Sequence, residues 1–80
     1  MTRAEVFNIV KNIFIVTFKI DDAMVSDATN SGEIKNWDSL NHIVLISAVE
    51  KELKIKFPLG ELMELKSVGE IVSSSMMKID

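Results

Sequence analysis

The chain has 80 residues, enough for one small domain and too few for two, so we expect a single domain over residues 1–80. It contains no cysteine, which excludes disulfides and thiolate metal sites as supports for its modest core. Nine basic and twelve acidic side chains give a net charge of −3, so binding to a nucleic-acid backbone is not expected.

The N-terminal sequence and the apolar runs argue against export and against membrane insertion. Met1–Glu5 shows no basic region followed by an apolar stretch, the pattern of a secretory signal. An apolar run such as Ile13–Val16 is far shorter than the roughly 20 residues of a membrane-spanning helix. We therefore expect a soluble, cytoplasmic protein.

The first segment carries the signals of a helix. Thr2 and Glu5 form a capping-box pattern, in which each side chain accepts a hydrogen bond from the other residue's backbone N–H. Residues 13–20 are rich in β-branched side chains and are also compatible with a strand, but the cap and the length of the pattern favour a helix. Apolar residues at intervals of three and four predict one stripe: Val6, Ile9, Val10, Ile13, Val16 and Ile20.

Residues 21–37 are polar and make an unusually long connection. Few apolar residues are available to anchor it, so we expect weak protection against hydrogen exchange between Asp21 and Lys35. Its spacing superficially follows a calcium-binding EF-hand loop, but Thr, Ser and Asp stand at positions that need stronger ligands, which favours a turn-rich loop. The residues in that pattern are Asp27, Thr29, Ser31, Gly32 and Asp38.

A second helix is predicted from Asp38 or Ser39 to about Leu53, because Asp and Ser both favour helix N-termini. Pro58 prevents a helix from continuing through Phe57, since proline lacks the backbone N–H and disfavours helical geometry before it.

Two further elements complete the predicted fold. Leu59–Met63 can make one short helical turn, and Ser67–Glu70 is a second capping-box pattern. It opens a last helix that we expect to end at Val72 or Ser74, with residues 73–77 frayed. The predicted class is all-α: a small four-helix bundle of three main helices and one short helix, with a long loop between helices one and two.

The second helix is apolar on two sides. At 100° per residue, Leu45, Ile46, Val49 and Leu53 share one side and form a natural core stripe. Near the opposite side lie Leu40, Ile43, Val44 and Ser47. An exposed apolar patch of this kind often docks partner proteins. The alternative is that the long loop folds back over it.

Ser39 admits three interpretations. It can simply initiate the helix. It can be a hydrolase nucleophile with His42 as its base, although the sequence offers one histidine and no Gly-x-Ser-x-Gly elbow. It can also carry a covalent phosphodiester, because the first turn of a helix stabilises negative charge and needs no catalytic residues of its own.

The context of Ser39 resembles the acyl carrier protein family over nearly the whole chain. The Asp-Ser-Leu triplet is the motif around that family's phosphopantetheine serine, and here it opens the second helix after a long loop. The residues that carry the resemblance are Trp37-Asp38-Ser39-Leu40, Glu50-Lys51-Glu52-Leu53, Phe57-Pro58 and Ser67-Val68-Gly69-Glu70-Ile71.

The resemblance implies a carrier without catalysis of its own. Ser39 would be esterified by 4′-phosphopantetheine taken from coenzyme A, whose terminal thiol carries acyl groups as thioesters between enzymes of fatty-acid, lipid or polyketide-type biosynthesis. Asp38 would serve the phosphopantetheinyl transferase by helping to hold Mg²⁺, beside its plainer role as a helix cap. Leu40, Ile43 and Val44, with Ser47, would form the docking face.

The implied partners are that transferase and an acyl ligase, an acyltransferase or a ketosynthase, acting on a monomer. The usual fatty-acid-synthesis carriers have a markedly acidic second helix, whereas Glu50 and Glu52 are offset here by Lys51, Lys54 and Lys56. This favours a specialised stand-alone carrier. The alternatives are a peptidyl or aminoacyl carrier, and a helical interaction module in which Ser39 is only a cap.

The remaining conspicuous residues have structural interpretations. We expect Trp37 to pack just before the second helix, at the N′ position of a hydrophobic staple. We expect His42 to be a packing or capping residue at the edge of the core. The five methionines, among them Met24, Met63, Met76 and Met77, are expected to be flexible filler.

Overall fold

The structure is a computed structural model that describes residues 1–79. It has no strand within this range, only an isolated antiparallel bridge between Asn30 and Ser67. The predicted all-α class, with three main helices, one short helix and a long gap between the first two, is confirmed. The helices are α1 (Arg3–Phe18), α2 (Ser39–Leu53), α3 (Leu59–Leu62) and α4 (Val68–Lys78), with one 3₁₀ turn at Asp22–Met24.

Helix α1 begins as its sequence predicts. The Thr2 hydroxyl accepts from the Glu5 N–H at 3.2 Å, and Glu5 Oε1 accepts from the Thr2 N–H at 2.7 Å, which completes the capping box. The helix ends where Lys19 adopts a left-handed conformation with φ 55°, a common geometry for a helix end. The strand alternative for residues 13–20 is therefore wrong.

The buried stripe of α1 differs from the predicted one. Val6 and Val10 are buried as expected, but the stripe continues through Phe14 and Phe18 at intervals of four. Val16 is 76% exposed. The two phenylalanines are buried because Trp37 packs against both, with ring centroids 4.9 Å from Phe14 and 6.1 Å from Phe18. A residue of the long loop thus contributes to which side of α1 is buried.

The long loop is anchored, which contradicts the expectation that few residues could hold it. Val25, Thr29 and Ile34 are buried along it, and Trp37 is buried at its end. Three backbone hydrogen bonds of 2.9 Å tie its middle to the chain around the start of α4: Ser31 N–H to Lys66 O, Val68 N–H to Thr29 O, and Gly69 N–H to Asp27 O. The premise that few residues anchor the loop is therefore wrong, while the weak hydrogen-exchange protection between Asp21 and Lys35 stays a prediction.

Helix α4 is longer than predicted. Expected to end at Val72 or Ser74, it runs to Lys78 without fraying at residues 73–77. Tertiary contacts explain the difference, because Ser75 is fully buried and Lys78 Nζ contacts Glu61 Oε1 of α3 at 2.9 Å. The second capping box is only half formed: Ser67 Oγ accepts from the Glu70 N–H, but Glu70 Oε1 accepts from Lys66 N–H instead.

One core joins these elements. Helix α1 packs on both α4 and α2, so the N-terminal helix is the common support of the other two long helices. The side of α2 predicted to face the core does so, since Leu45, Ile46, Val49 and Leu53 are all buried. No helix within residues 1–79 combines the length and the apolar character needed to cross a membrane.

Candidate functional site

The first turn of α2 presents Ser39 at the surface. Asp38 caps the helix: its Oδ1 accepts from the Asn41 N–H at 2.9 Å. Ser39 is the first helical residue, its side chain is exposed, and the cap does not use its hydroxyl. The predicted start of the helix is confirmed, and the interpretation of Ser39 as the cap itself is wrong.

The chain just before Ser39 is held by side chains of α2. Asn41 Nδ2 donates to the Asn36 carbonyl at 2.9 Å, and Trp37 Nε1 donates to His42 Nδ1 at 2.9 Å. Trp37 occupies the N′ position and its indole stacks on the His42 ring at 6.0 Å, so the staple-like packing predicted for it is confirmed. These bonds fix the path by which the loop enters the helix.

His42 is a buried bridge between elements. Its Nδ1 accepts from Trp37, and its Nε2 lies 2.6 Å from the Leu62 carbonyl oxygen at the end of α3. Both ring nitrogens are thereby engaged, so the ring is not available as a general base for Ser39. The prediction of a packing histidine is confirmed, and the hydrolase interpretation is wrong.

A cleft of about 230 Å³ opens beside Ser39. One wall comes from the start of α2 and the other from the chain that follows α3. The lining residues are Ser31, Trp37, Asp38, Ser39, His42, Met63, Leu65 and Lys66. The exposed Lys66 and the N-terminal end of α2 both favour negative charge in this cleft. Sequence reasoning missed Lys66, which lies 27 positions after Ser39 and shares no local pattern with it.

The outer face of α2 is open to solvent. Leu40, Ile43 and Val44 are 73%, 45% and 51% exposed, and Ser47 is exposed as well. The long loop therefore does not cover them, and the alternative in which it folds back over this face is wrong. Apolar side chains of this size, grouped beside Ser39, form a surface suited to a partner protein.

The far end of α2 departs from an acidic surface. Lys51, Lys54 and Lys56 are exposed and line one shallow depression with Ser47. Glu50 turns its charge inward, because its Oε2 accepts from the Phe57 N–H at 2.7 Å. The outer surface thus changes from apolar side chains near Ser39 to lysines at the end of α2 and just beyond it, with Glu52 exposed among them.

The loop residues that mimic a calcium-binding pattern have structural partners. Asp27 Oδ1 accepts from Arg3 Nη2 at 3.1 Å, and Thr29 Oγ1 donates to the Met24 carbonyl at 3.0 Å. Asp38 belongs to the cap of α2. Within residues 1–79, no group of three or more His, Asp or Glu side chains is placed to hold a metal ion.

Comparison with known proteins agrees with this geometry. Residues 8–74 match the family described as "Phosphopantetheine attachment site". The chain belongs to this family. Similar proteins include the acyl carrier proteins of Thermosynechococcus vestitus, at 31% identity over 90% of this chain and 89% of the relative, and of Thermotoga maritima, at 29% over 90% and 89%. The acyl carrier protein of Lactobacillus acidophilus is 29% identical over 91% of each chain.

Membership of the family establishes the general role of the chain. It is a carrier rather than an enzyme, and its prosthetic group is 4′-phosphopantetheine, which a phosphopantetheinyl transferase installs. The interpretation as a helical interaction module without a prosthetic group is therefore wrong. The residues beside Ser39 fit a phosphate ester, because an exposed hydroxyl, a helix N-terminus and Lys66 meet at one cleft.

Proposed function

We propose that Ser39 carries the phosphopantetheine arm and that the chain passes acyl intermediates, held as thioesters, between partner enzymes. The observation that supports this assignment most directly is a contrast between two serines at helix starts. Ser67 Oγ is engaged in the cap of α4, where it accepts from the Glu70 N–H at 3.1 Å. At α2 the cap is Asp38, which leaves the exposed Ser39 hydroxyl for attachment.

The chain's own residues have defined tasks in this proposal. The start of α2 and Lys66 stabilise the phosphate charge at Ser39. Asp38 holds the helix start with Oδ1, and its carboxylate, next to the reacting serine, helps the transferase to hold Mg²⁺ with incoming coenzyme A. The arm, when attached, supplies the terminal thiol to which acyl groups are linked.

The docking face consists of Leu40, Ile43, Val44 and Ser47. It lies beside Ser39, so an enzyme seated there receives the arm directly. The partners we propose are the transferase and an acyl ligase, an acyltransferase or a ketosynthase of a specialised pathway, because the lysine-rich end of α2 does not suit enzymes that expect an acidic helix. We place this activity in the cytoplasm and assign it to a monomer.

Intact-mass measurement tests the attachment site. After incubation with coenzyme A, Mg²⁺ and a broad-specificity phosphopantetheinyl transferase, the wild type should gain the mass of one arm. Ser39→Ala should gain none, with unchanged helical circular dichroism, because Ser39 is not the cap. The matched control Ser67→Ala should still be modified. Modification of Ser39→Ala, or none of the wild type, contradicts the assignment.

Asp38 can be tested separately from its capping role. Asn is as good an N-cap as Asp, so Asp38→Asn should keep the stability of α2 while removing the charge. We expect slower modification with a raised Mg²⁺ requirement. Wild-type kinetics for Asp38→Asn would limit Asp38 to capping.

Intact-mass measurement also tests which class of cargo the arm carries. Carrier isolated from its source cells should bear an acyl mass that hydroxylamine releases, since thioesters are cleaved by that nucleophile. An amino-acid mass on the arm would instead favour the peptidyl or aminoacyl carrier alternative.

A further inference from the structure

The His42 ring makes two hydrogen bonds that require one particular tautomer. An indole N–H can only donate, so His42 Nδ1 must accept from Trp37 Nε1 at 2.9 Å. A carbonyl oxygen can only accept, so the ring proton must lie on Nε2 and point to Leu62 O at 2.6 Å. The bridge therefore joins the end of the loop, α2 and α3 through one buried side chain.

The first bond controls the approach to Ser39. Trp37 is buried edge-on against Phe14 of α1, with ring centroids 4.9 Å apart and an interplanar angle of 81°. It is separated from Ser39 by Asp38 alone. The indole is held by Phe14 of α1 on one side and by His42 on the other. The backbone that leads from Trp37 to Ser39 is therefore restrained at its start.

The second bond controls the opposite wall of the cleft. Helix α3 has four residues, too few to be stable by itself, and Leu62 is its buried residue. Burial of the Leu62 side chain in the core and the ion pair of Glu61 with Lys78 also hold α3. Met63 and Leu65, which follow directly, line the same cleft as Ser39. A hydrogen bond to the Leu62 carbonyl therefore helps to hold the segment that forms this wall of the cleft.

We propose that His42 is a positioning residue for the phosphopantetheine site. Its bond to Trp37 orients Ser39 for transfer of the arm, and its bond to Leu62 seats α3 so that the cleft keeps its width. The proposal rests on the assignment of Ser39 in the proposed function. It differs from a packing role because each ring nitrogen has its own task, so shape alone does not replace the ring.

Three substitutions separate the two bonds. His42→Asn offers an amide oxygen near the position of Nδ1 and is too short to reach Leu62. His42→Gln places an amide N–H near the position of Nε2 and loses the acceptor for Trp37. His42→Phe retains the ring and removes both bonds. Val49→Ala, a truncation of a buried residue on the same helix, is the control for loss of stability without loss of the bridge.

The readouts are independent of one another. Trp37 is the one tryptophan of the chain, so its indole N–H gives a single NMR signal that reports the first bond. Hydrogen exchange of residues 63–65 reports the seating of α3. Steady-state modification by a broad-specificity phosphopantetheinyl transferase, with saturating coenzyme A, gives kcat and KM for each unmodified variant.

We expect a specific pattern. His42→Phe should shift the indole signal, raise exchange at residues 63–65 and lower kcat about tenfold with little change in KM, since docking residues are untouched. His42→Asn should keep the indole signal and most of kcat while exchange rises. His42→Gln should shift the indole signal and lower kcat, while exchange at residues 63–65 stays near that of the wild type. Val49→Ala should lower stability without lowering kcat.

Two results would overturn the inference alone. In one, His42→Phe is modified at the wild-type rate although the indole signal moves. In the other, Val49→Ala, at equal loss of stability, loses as much kcat as His42→Phe. If the wild type gains no arm at all, the proposed function fails together with the inference, and that outcome is distinct because it concerns the unsubstituted chain.

Discussion

The two faces of α2 carry the same kinds of residue and meet opposite environments. Leu45, Ile46 and Val49 on the inner face are essentially inaccessible to solvent. Leu40 and Val44 on the outer face are 73% and 51% exposed. The inner face is covered because α1 packs along α2. Within residues 1–79, the outer face beside Ser39 stays exposed.

This difference shows that residue type alone does not decide whether an apolar side chain stabilises the fold or is available for binding. A buried leucine stabilises the fold by leaving water, while an exposed one contributes nothing to folding until a partner covers it. The inner face is therefore part of the core, and under the proposed function the exposed outer face is the surface we expect partner enzymes to bind. Matched substitutions of one residue type in both environments test this difference.

The largest difference is expected between two leucines of α2. Leu45→Ala should lower the free energy of unfolding by about 2–5 kcal/mol, because it removes buried methyl groups and leaves a cavity. Leu40→Ala should change it by less than about 0.5 kcal/mol, as for most exposed positions. Urea titrations followed by circular dichroism measure both. Equal losses would mean that the outer face is covered in solution.

Two glycines extend the contrast beyond α2. A Cβ at Gly69 would lie 2.8 Å from the Asp27 carbonyl oxygen, whereas a Cβ at Gly60 meets nothing within 4 Å. Gly69→Ala should therefore destabilise by about 1–3 kcal/mol through the clash with backbone. Gly60→Ala should stabilise by about 0.4–1 kcal/mol, because alanine restricts the unfolded chain. The same titrations check both, and a tolerated Gly69→Ala would show that the loop can withdraw from α4.

Much of the fold was predictable because its signals are local. The Thr2 capping box, the start of α2 and the stop at Pro58 each depend on a few neighbouring residues. The errors concern long-range packing. Intervals of four place Phe14 and Phe18 on the same side of α1 as Val10, and the packing of Trp37 from the distant loop makes this side the buried one instead of the side with Val16. Helix α4 was predicted too short because nothing local reveals the burial of Ser75.

In the candidate site, too, some residues could be predicted from local sequence and others could not. Ser39, Asp38 and the apolar outer face follow from a motif and a helical period, so the sequence alone indicates them. The contact of His42 with Leu62 and the presence of Lys66 in the cleft join residues that are 20 or more positions apart. No periodicity or spacing reports such contacts, and only the folded chain brings these groups together.

The outer face should respond in binding rather than in stability. Val44→Glu should change the free energy of unfolding by less than about 0.5 kcal/mol, since the side chain stays in water. It should weaken docking of the carrier's acyl-transferring enzyme by about 1 kcal/mol, or roughly fivefold in Kd, because apolar area is no longer buried. Calorimetric titration measures the loss.

Salt provides the control for this prediction. Docking through apolar burial should vary little between low and high salt, whereas charge-steered docking weakens once the screening length falls below about 10 Å. A steep loss of affinity with salt, combined with indifference to Val44→Glu, would show that the lysines at the far end of α2 govern docking instead.

The smallest effect is expected at an exposed site, the capping box of α1. The Thr2 backbone N–H that donates to Glu5 Oε1 at 2.7 Å lowers the pKa of Glu5 below its ordinary value. A carboxylate with a lowered pKa in the folded state stabilises the fold above its ordinary pKa, and this contribution disappears as the pH falls through the lowered value. Glu5→Gln should therefore be slightly less stable than the wild type at neutral pH and equal to it in acid. Thermal unfolding of both proteins across that range checks the sign, and a difference that grows as the pH falls would contradict it.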